Sequence, residues 1–353
     1  MILIKKHQQS LAILPLVVVL LTGCPKPAAP PTQAMRPPIT DSRPANSQPG
    51  GFLKSPTRTG GGSFGSGNQA SKPAEPTTSD DVLTVVGNPD GATASPSNKE
   101  HFLMQRPQFD LSYNETLHFP NWVAWHLVAS DIGDTDRSSF VPDPDLPSGF
   151  ERITTRDYSG SGYDRGHNCP SKDRTANPQE NQIAFYMTNI TPQFHEMNGG
   201  PWEGLETYCR KLAQEGNELY ILCGHGFDNG AQRAKTIGSE GIAVPDFGWK
   251  IVLALPEKSG DDLARIDENT RVIAVKMENS RSISGPWDNF ITTAGELEQA
   301  TGLTFFETLP DSVARALKQK RDEGANSFTS GPSGFKKSKR RSSGGSFGAG
   351  GRR

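Results

Sequence analysis

The chain has 353 residues, among them 37 Gly, 28 Pro and only four Cys, with a formal net charge of −2. This composition excludes collagen-like, coiled-coil and disulfide-dense classes, and no apolar run reaches the ~20 residues of a bilayer span. The near-neutral charge conceals a division: residues 101–324 carry 21 basic against 33 acidic side chains, whereas residues 325–353 carry seven Lys/Arg and no acid.

Lys5 and Lys6 precede the apolar run Leu11–Leu21, which predicts an export signal over residues 1–23. The run ends in Leu21-Thr22-Gly23-Cys24, which resembles the lipobox of bacterial lipoproteins. That resemblance makes Cys24 the lipidation site and the lipid its membrane partner. Pro25, where an Asp would retain a lipoprotein at the inner membrane, points to the outer membrane. Between Pro25 and Glu100 lie 13 Pro and 9 Gly, with Phe52 and Phe64 as the only aromatics, so residues 24–100 are expected to form a disordered tether. A folded domain is expected over 101–324, followed by a basic Gly/Ser-rich disordered tail over 325–353.

Within the domain, Asn121–Ala129 reads as a strand, and Ile183–Thr188 as another. Pro201 opens a helix whose Trp202, Leu205, Cys209 and Leu212 recur at helical spacing, ending near Gly216. Glu218–Cys223, Gly248–Leu255 and Arg271–Met277 read as further strands, and Ala294–Ala300 as a last short helix. The order is strand-dominated α+β rather than alternating βαβ. With Cys24 lipidated, Cys169, Cys209 and Cys223 remain: either Cys209 pairs with Cys223, or all three are buried thiols. No C-x-x-C spacing suggests a structural zinc site.

Chemistry concentrates between Asp164 and Glu206. In Asp164-Arg165-Gly166-His167 the guanidinium and imidazole are two residues apart and face the same way on an extended segment. Such a pair suits phosphodiester cleavage, the imidazole taking a proton from water while the arginine holds phosphate oxygens. Asn198 lies just before the helix and Glu206 about two turns into it, an amide oxygen and a carboxylate that together suit a Mg²⁺ ion that keeps most of its waters. Taken singly, Asn198 also reads as a helix cap and Glu206 as an exposed carboxylate. Cys169 is set aside as a nucleophile because the phosphate-and-metal set is complete without it. His195 and His225 are expected at the surface.

Together with Met187-Thr188-Asn189, Pro192-Gln193, Trp202, Tyr208-Cys209-Arg210, Trp249-Lys250-Ile251-Val252 and Leu297-Glu298, these residues resemble the DNA/RNA non-specific endonuclease family, of ββα-metal (His-Me finger) fold. The likeness spans about Asn121 to Pro310 and is close to the cyanobacterial type. Gly224-His225-Gly226 and Asn168-Cys169 depart from it. It implies a central antiparallel sheet with flanking helices, His167 as general base, Asn198 as the direct ligand of one Mg²⁺ (or Mn²⁺), and Glu206 as the acid that orders metal-bound water. Arg165 and the more distant Arg137 would stabilise the transition state, and Asp164 and Asn189 would support the site. The implied activity is sequence-non-specific hydrolysis of DNA and RNA at the cell envelope. The alternative is a surface lipoprotein that captures nucleic acid on a catalytically silent nuclease fold.

Overall fold

Leu219–Cys223, Ile251–Leu255 and Val272–Val275 are unbroken apolar runs, and such runs in strands require cover on both faces. The computed structural model, which describes residues 82–324, places them at the centre of a seven-stranded sheet. Its strands lie in the order β1 (Phe102–Met104), β2 (Asp110–Asn114), β3 (Phe119–Leu127), β6 (Asn217–Gly226), β9 (Phe247–Pro256), β10 (Arg271–Glu278) and β11 (Ile291–Thr292), all antiparallel to their neighbours. On one face Trp125, Ile221, Val252 and Ile273 pack against Leu205, Cys209 and Leu212 of helix α4 (Glu203–Gln214). On the other, Trp122, Tyr220, Trp249 and Leu253 are covered by α1 (Val82–Val86), α5 (Ala294–Thr301), Phe305, Phe306 and Leu317 of α6 (Asp311–Gln319).

Beside this sheet, β4 (Asp164–His167) and β5 (Ile190–Gln193) form an antiparallel ribbon, and β7 (Thr236–Ile237) pairs with β8 (Ile242–Ala243). A third apolar cluster, with Phe119, Tyr158, Met187, Ile190 and Ile242, lies under both ribbons and joins them to β3.

The expected strands from Asn121 onward correspond to β3, β6, β9 and β10, and Ala294–Ala300 to α5. That last helix is closed by a reciprocal cap between Thr293 and Glu296 and by Gly302 in the left-handed region at φ 75°.

Ile183–Thr188 is not a strand. Asn177 caps a helix α2 (Pro178–Ala184) by accepting from the Glu180 amide, with Pro178 at its first position, and a 3₁₀ turn follows over Met187–Asn189. The strand register begins only at Ile190.

The packed region also begins earlier than His101. Val82, Val85 and Val86 are buried in the α5/α6 face, and Asp90 accepts hydrogen bonds from Trp122 (2.7 Å), Ser112 (2.8 Å), His101 (2.8 Å) and Asn121 (3.0 Å). Composition averaged over the Pro-rich stretch hid this short apolar helix. Cys169, Cys209 and Cys223 are buried free thiols, so the Cys209–Cys223 pairing is not made. The expected signal over 1–23, Cys24 and the tail over 325–353 lie outside the described residues.

Candidate active site

The ribbon sets the geometry. Gly166 faces Thr191 and Asp164 faces Gln193 across it, so Arg165 and His167 project from the same side of β4. The His167 ring packs against two aromatic rings that also touch each other, 5.2 Å from Phe140 and 4.9 Å edge-on from Phe185, with Phe140 and Phe185 5.0 Å apart. The same two rings seat the guanidiniums: Arg165 lies 4.7 Å from the Phe140 centroid, and Arg137 lies 4.7 Å from Phe185 and 5.6 Å from Phe140. Arg137, Arg165 and His167 thus meet around one aromatic wall. Arg152, the next arginine along the chain, instead donates to the carbonyls of Asp143 and Leu146.

Burial, with the two positive neighbours adding to it, pushes the His167 imidazole down to about 3. Burial and the Arg165 charge likewise lower Arg137. His167 Nε2 and Arg165 Nε are buried without a hydrogen-bond partner among the described residues. Native interiors rarely leave such atoms unpaired, and sites that receive a ligand are one of the standard reasons for it.

After β5 the chain makes a short turn α3 (His195–Met197) and a wide π-type turn over Asn198–Trp202 before α4. Gly200 leaves helical geometry there at φ −108°, ψ −117°, and Pro201 restarts the helix without needing an amide donor. Asn198 therefore precedes regular helix, and Glu206 sits in the first turn of α4 rather than two turns in. Asn198 Nδ2 donates to Asp164 Oδ2 (3.0 Å), the oxygen to which His195 Nδ1 also donates (2.9 Å). Asp164 thereby fixes the amide rotamer and leaves Asn198 Oδ1 as the acceptor free for a cation, so the residues fit a divalent oxygen-seeking ion.

Glu206 shares no hydrogen bond or ion pair with His167, Asn198 or Asp164 among the described residues. Its partner is Lys250 Nζ at 3.8 Å, from a lysine that is 1% exposed on β9. Burial raises the Glu206 carboxyl to about 7, against the lowering effect of Lys250. The Lys250 ammonium lies 4.3 Å from the Trp202 ring and 5.4 Å from Trp125. A second link fastens the segment after His167 to α4: Arg210 donates to Asp173 Oδ1 (2.9 Å), and Asp173 Oδ2 accepts from Trp125 (3.1 Å).

Asn189 is wholly buried and structural. It accepts from the Cys169 amide and donates to the carbonyls of Cys169 and Ala184, tying down the strand that carries His167. His195 is exposed as expected. His225 is not: it is buried, Gln193 Nε2 donates to its Nε2 at 2.9 Å, and it packs near Phe119 and Trp202. The sequence reading gave no role to Lys250 or Arg210. Their signals were a lysine inside an apolar strand run and an arginine one helical turn after Glu206.

Another set of metal-type donors, His126, Glu218 and Asp262, gathers on the opposite face of the sheet. There Arg265 already donates to both carboxylates and Tyr220 donates to Asp262, so the negative charge is answered without an ion.

Residues 89–312 match the DNA/RNA non-specific endonuclease family. The chain is 40% identical over 242 residues to a nuclease of Nostoc sp., covering 68% of this chain and 86% of that protein. Nuclease C1 of Cunninghamella echinulata is 32% identical over 62% of this chain and 87% of the relative. The mitochondrial nuclease EXOG of Mus musculus is 32% identical over 57% of this chain, which spans only 56% of that longer protein. A solved chain from a complex of EndoG with its inhibitor EndoGI superposes with a TM-score of 0.52 at 25% identity, covering 63% of this chain and 96% of the other. Sequence match over nearly all the described residues, and a fold shared with a ββα-metal nuclease, lead to one conclusion: the chain belongs to the DNA/RNA non-specific endonuclease family and is a hydrolytic nuclease.

Proposed function

We propose that the protein is a divalent-metal-dependent endonuclease that cuts DNA and RNA without base selectivity, exported and held at the cell envelope, on the outer membrane, by a lipid on Cys24. The observation that carries the catalytic reading is the buried, unpartnered Nε2 of His167 beside Arg137 and Arg165.

An imidazole lowered this far is unprotonated at neutral pH and so is ready to accept a proton from water. A phosphodiester entering between the two guanidiniums offsets their positive field, which raises the imidazole's basicity when it is needed. Arg165 and Arg137 hold the non-bridging oxygens and stabilise the charge that grows on them in the transition state. Asn198 Oδ1 would hold one Mg²⁺ or Mn²⁺ with Glu206 ordering the water around it, and the ion when bound supplies Lewis-acid stabilisation of the phosphoryl and leaving oxygens. These groups address phosphate and water rather than base edges, so base selectivity is low and binding is salt-sensitive. The envelope address is supported by Lys5, Lys6, the apolar run and Leu21-Thr22-Gly23-Cys24.

The test is to incubate the chain from Pro25 onward with supercoiled plasmid and with RNA, in Mg²⁺ or EDTA, beside His167→Ala. Cleavage of both polymers is expected only with metal and His167, with nucleic-acid binding retained by the variant. A His167→Ala rate within a few-fold of the parent would remove the base assignment. Intact substrates with retained binding by the parent chain would point instead to a capture protein. For the address, radiolabelled palmitate should enter the full chain but not Cys24→Ser.

A further inference from the structure

Tyr163 precedes β4 and Phe194 follows β5, and their rings touch at a tilt of 40° with centroids 4.4 Å apart at the end of the ribbon. Each ring of this pair carries an exposed cation. Lys235 Nζ lies 5.0 Å from the Tyr163 centroid and 3.5 Å from its hydroxyl, and Arg281 lies 5.2 Å from the Phe194 centroid. Neither cation has a carboxylate partner among the described residues. Elsewhere in this acidic domain Arg106, Lys172, Arg174, Arg210 and Lys276 are each answered by an acid. Asp164, the acid beside Tyr163, is already engaged by Asn198 and His195. Arg137 and Arg165 likewise have no acid partner among the described residues, and like Lys235 and Arg281 they lie against aromatic rings beside the ribbon.

Placement extends the parallel. Tyr163 lies one residue before β4 and two before Arg165, so extended backbone there would carry it on the side of Arg165 and His167, about 6.6 Å beyond Arg165. The aromatic pair holds both cations in place before a ligand arrives, which reduces the side-chain entropy lost on binding. Resting on the nuclease reading above, we propose that Lys235 and Arg281, seated on the Tyr163–Phe194 ring pair, form a phosphate-binding subsite that grips the polynucleotide backbone a few nucleotides from the scissile bond.

The experiment compares the Pro25–Arg353 chain with Lys235→Gln/Arg281→Gln. Affinity for a 30-base-pair duplex is measured by fluorescence anisotropy in EDTA across a salt series, and kcat and KM on the same duplex in Mg²⁺. Each lost phosphate contact lowers the slope of log affinity against log salt by about 0.9, so the pair should lower it by nearly 2. KM at moderate salt should rise roughly tenfold with kcat unchanged. The charge-keeping Lys235→Arg/Arg281→Lys variant should restore the slope. An unchanged slope overturns the proposal, as does a fall in kcat that matches the loss of affinity, because the cations would then act in the catalytic pocket. Failure of the nuclease reading is seen separately, as absence of metal-dependent cleavage by the parent chain, while the slope in EDTA still decides the subsite.

Discussion

Lys250 is the residue whose placement is hardest to explain as packing alone. An ammonium 1% exposed beside Trp125 and Trp202 has one ion-pair partner among the described residues, Glu206, whose carboxyl burial has pushed up to about 7. The positive charge opposes that rise, so Lys250→Met should move the Glu206 midpoint above 7 in metal-free protein, read from its side-chain carboxyl carbon by NMR. A proton then stays on Glu206 at neutral pH, so the activity profile should shift to more alkaline pH. A midpoint that stays near 7 or falls would show that the ammonium does not set the carboxylate's state. At this scale the sequence was legible in part. The Arg165–Gly166–His167 spacing alone implied that two groups share a side, but nothing in Trp249-Lys250-Ile251-Val252 told which acid the lysine meets, because that acid comes from a helix in another part of the chain. His225 was misplaced for the same reason: its glycine neighbours read as a loop, whereas they continue β6 into contact with Gln193 and Phe247.

Among elements, the β4–β5 ribbon carries the site, and its closeness rests on Gly166. A Cβ at that position would overlap the side chain of Gln193, whose Nε2 holds His225. Gly166→Ala should therefore destabilise the protein by about 1–3 kcal/mol in urea unfolding and lower kcat by shifting His167. Trimming the obstacle with Gln193→Ala in the same chain should recover part of both losses; wild-type stability in the single variant would mean that the ribbon has slack. Element types were readable where apolar runs were long, as in β6, β9 and β10. The reading failed at Ile183–Thr188, where Asn177 and Pro178 start a helix just upstream and the remaining residues are too few to reveal a period.

For the whole molecule, the boundary at His101 is the consequential correction. Val82–Val86 covers the sheet face behind β3 and β6, and Asp90 joins residues of β2 and β3. A chain starting at His101 should lose those contacts, leave the Trp122 indole N–H without its acceptor and unfold at lower urea concentration than one starting at Val82. Equal midpoints would return Val82–Glu100 to the tether. The sequence by itself determined the α+β class of the domain and, through its family resemblance, that it is a nuclease. Hydrophobic period, turn residues and the local order of Asp164, Arg165, His167 and Asn198 are properties of short segments, and backbone geometry translates them directly. Only the tertiary structure decided what those groups feel: that Arg137 and Arg165 share one aromatic wall with His167, that Glu206 is answered by Lys250, and that Lys235 and Arg281 lie against the Tyr163–Phe194 rings. Burial and charge neighbours depend on residues distant in the chain, and no local pattern encodes them.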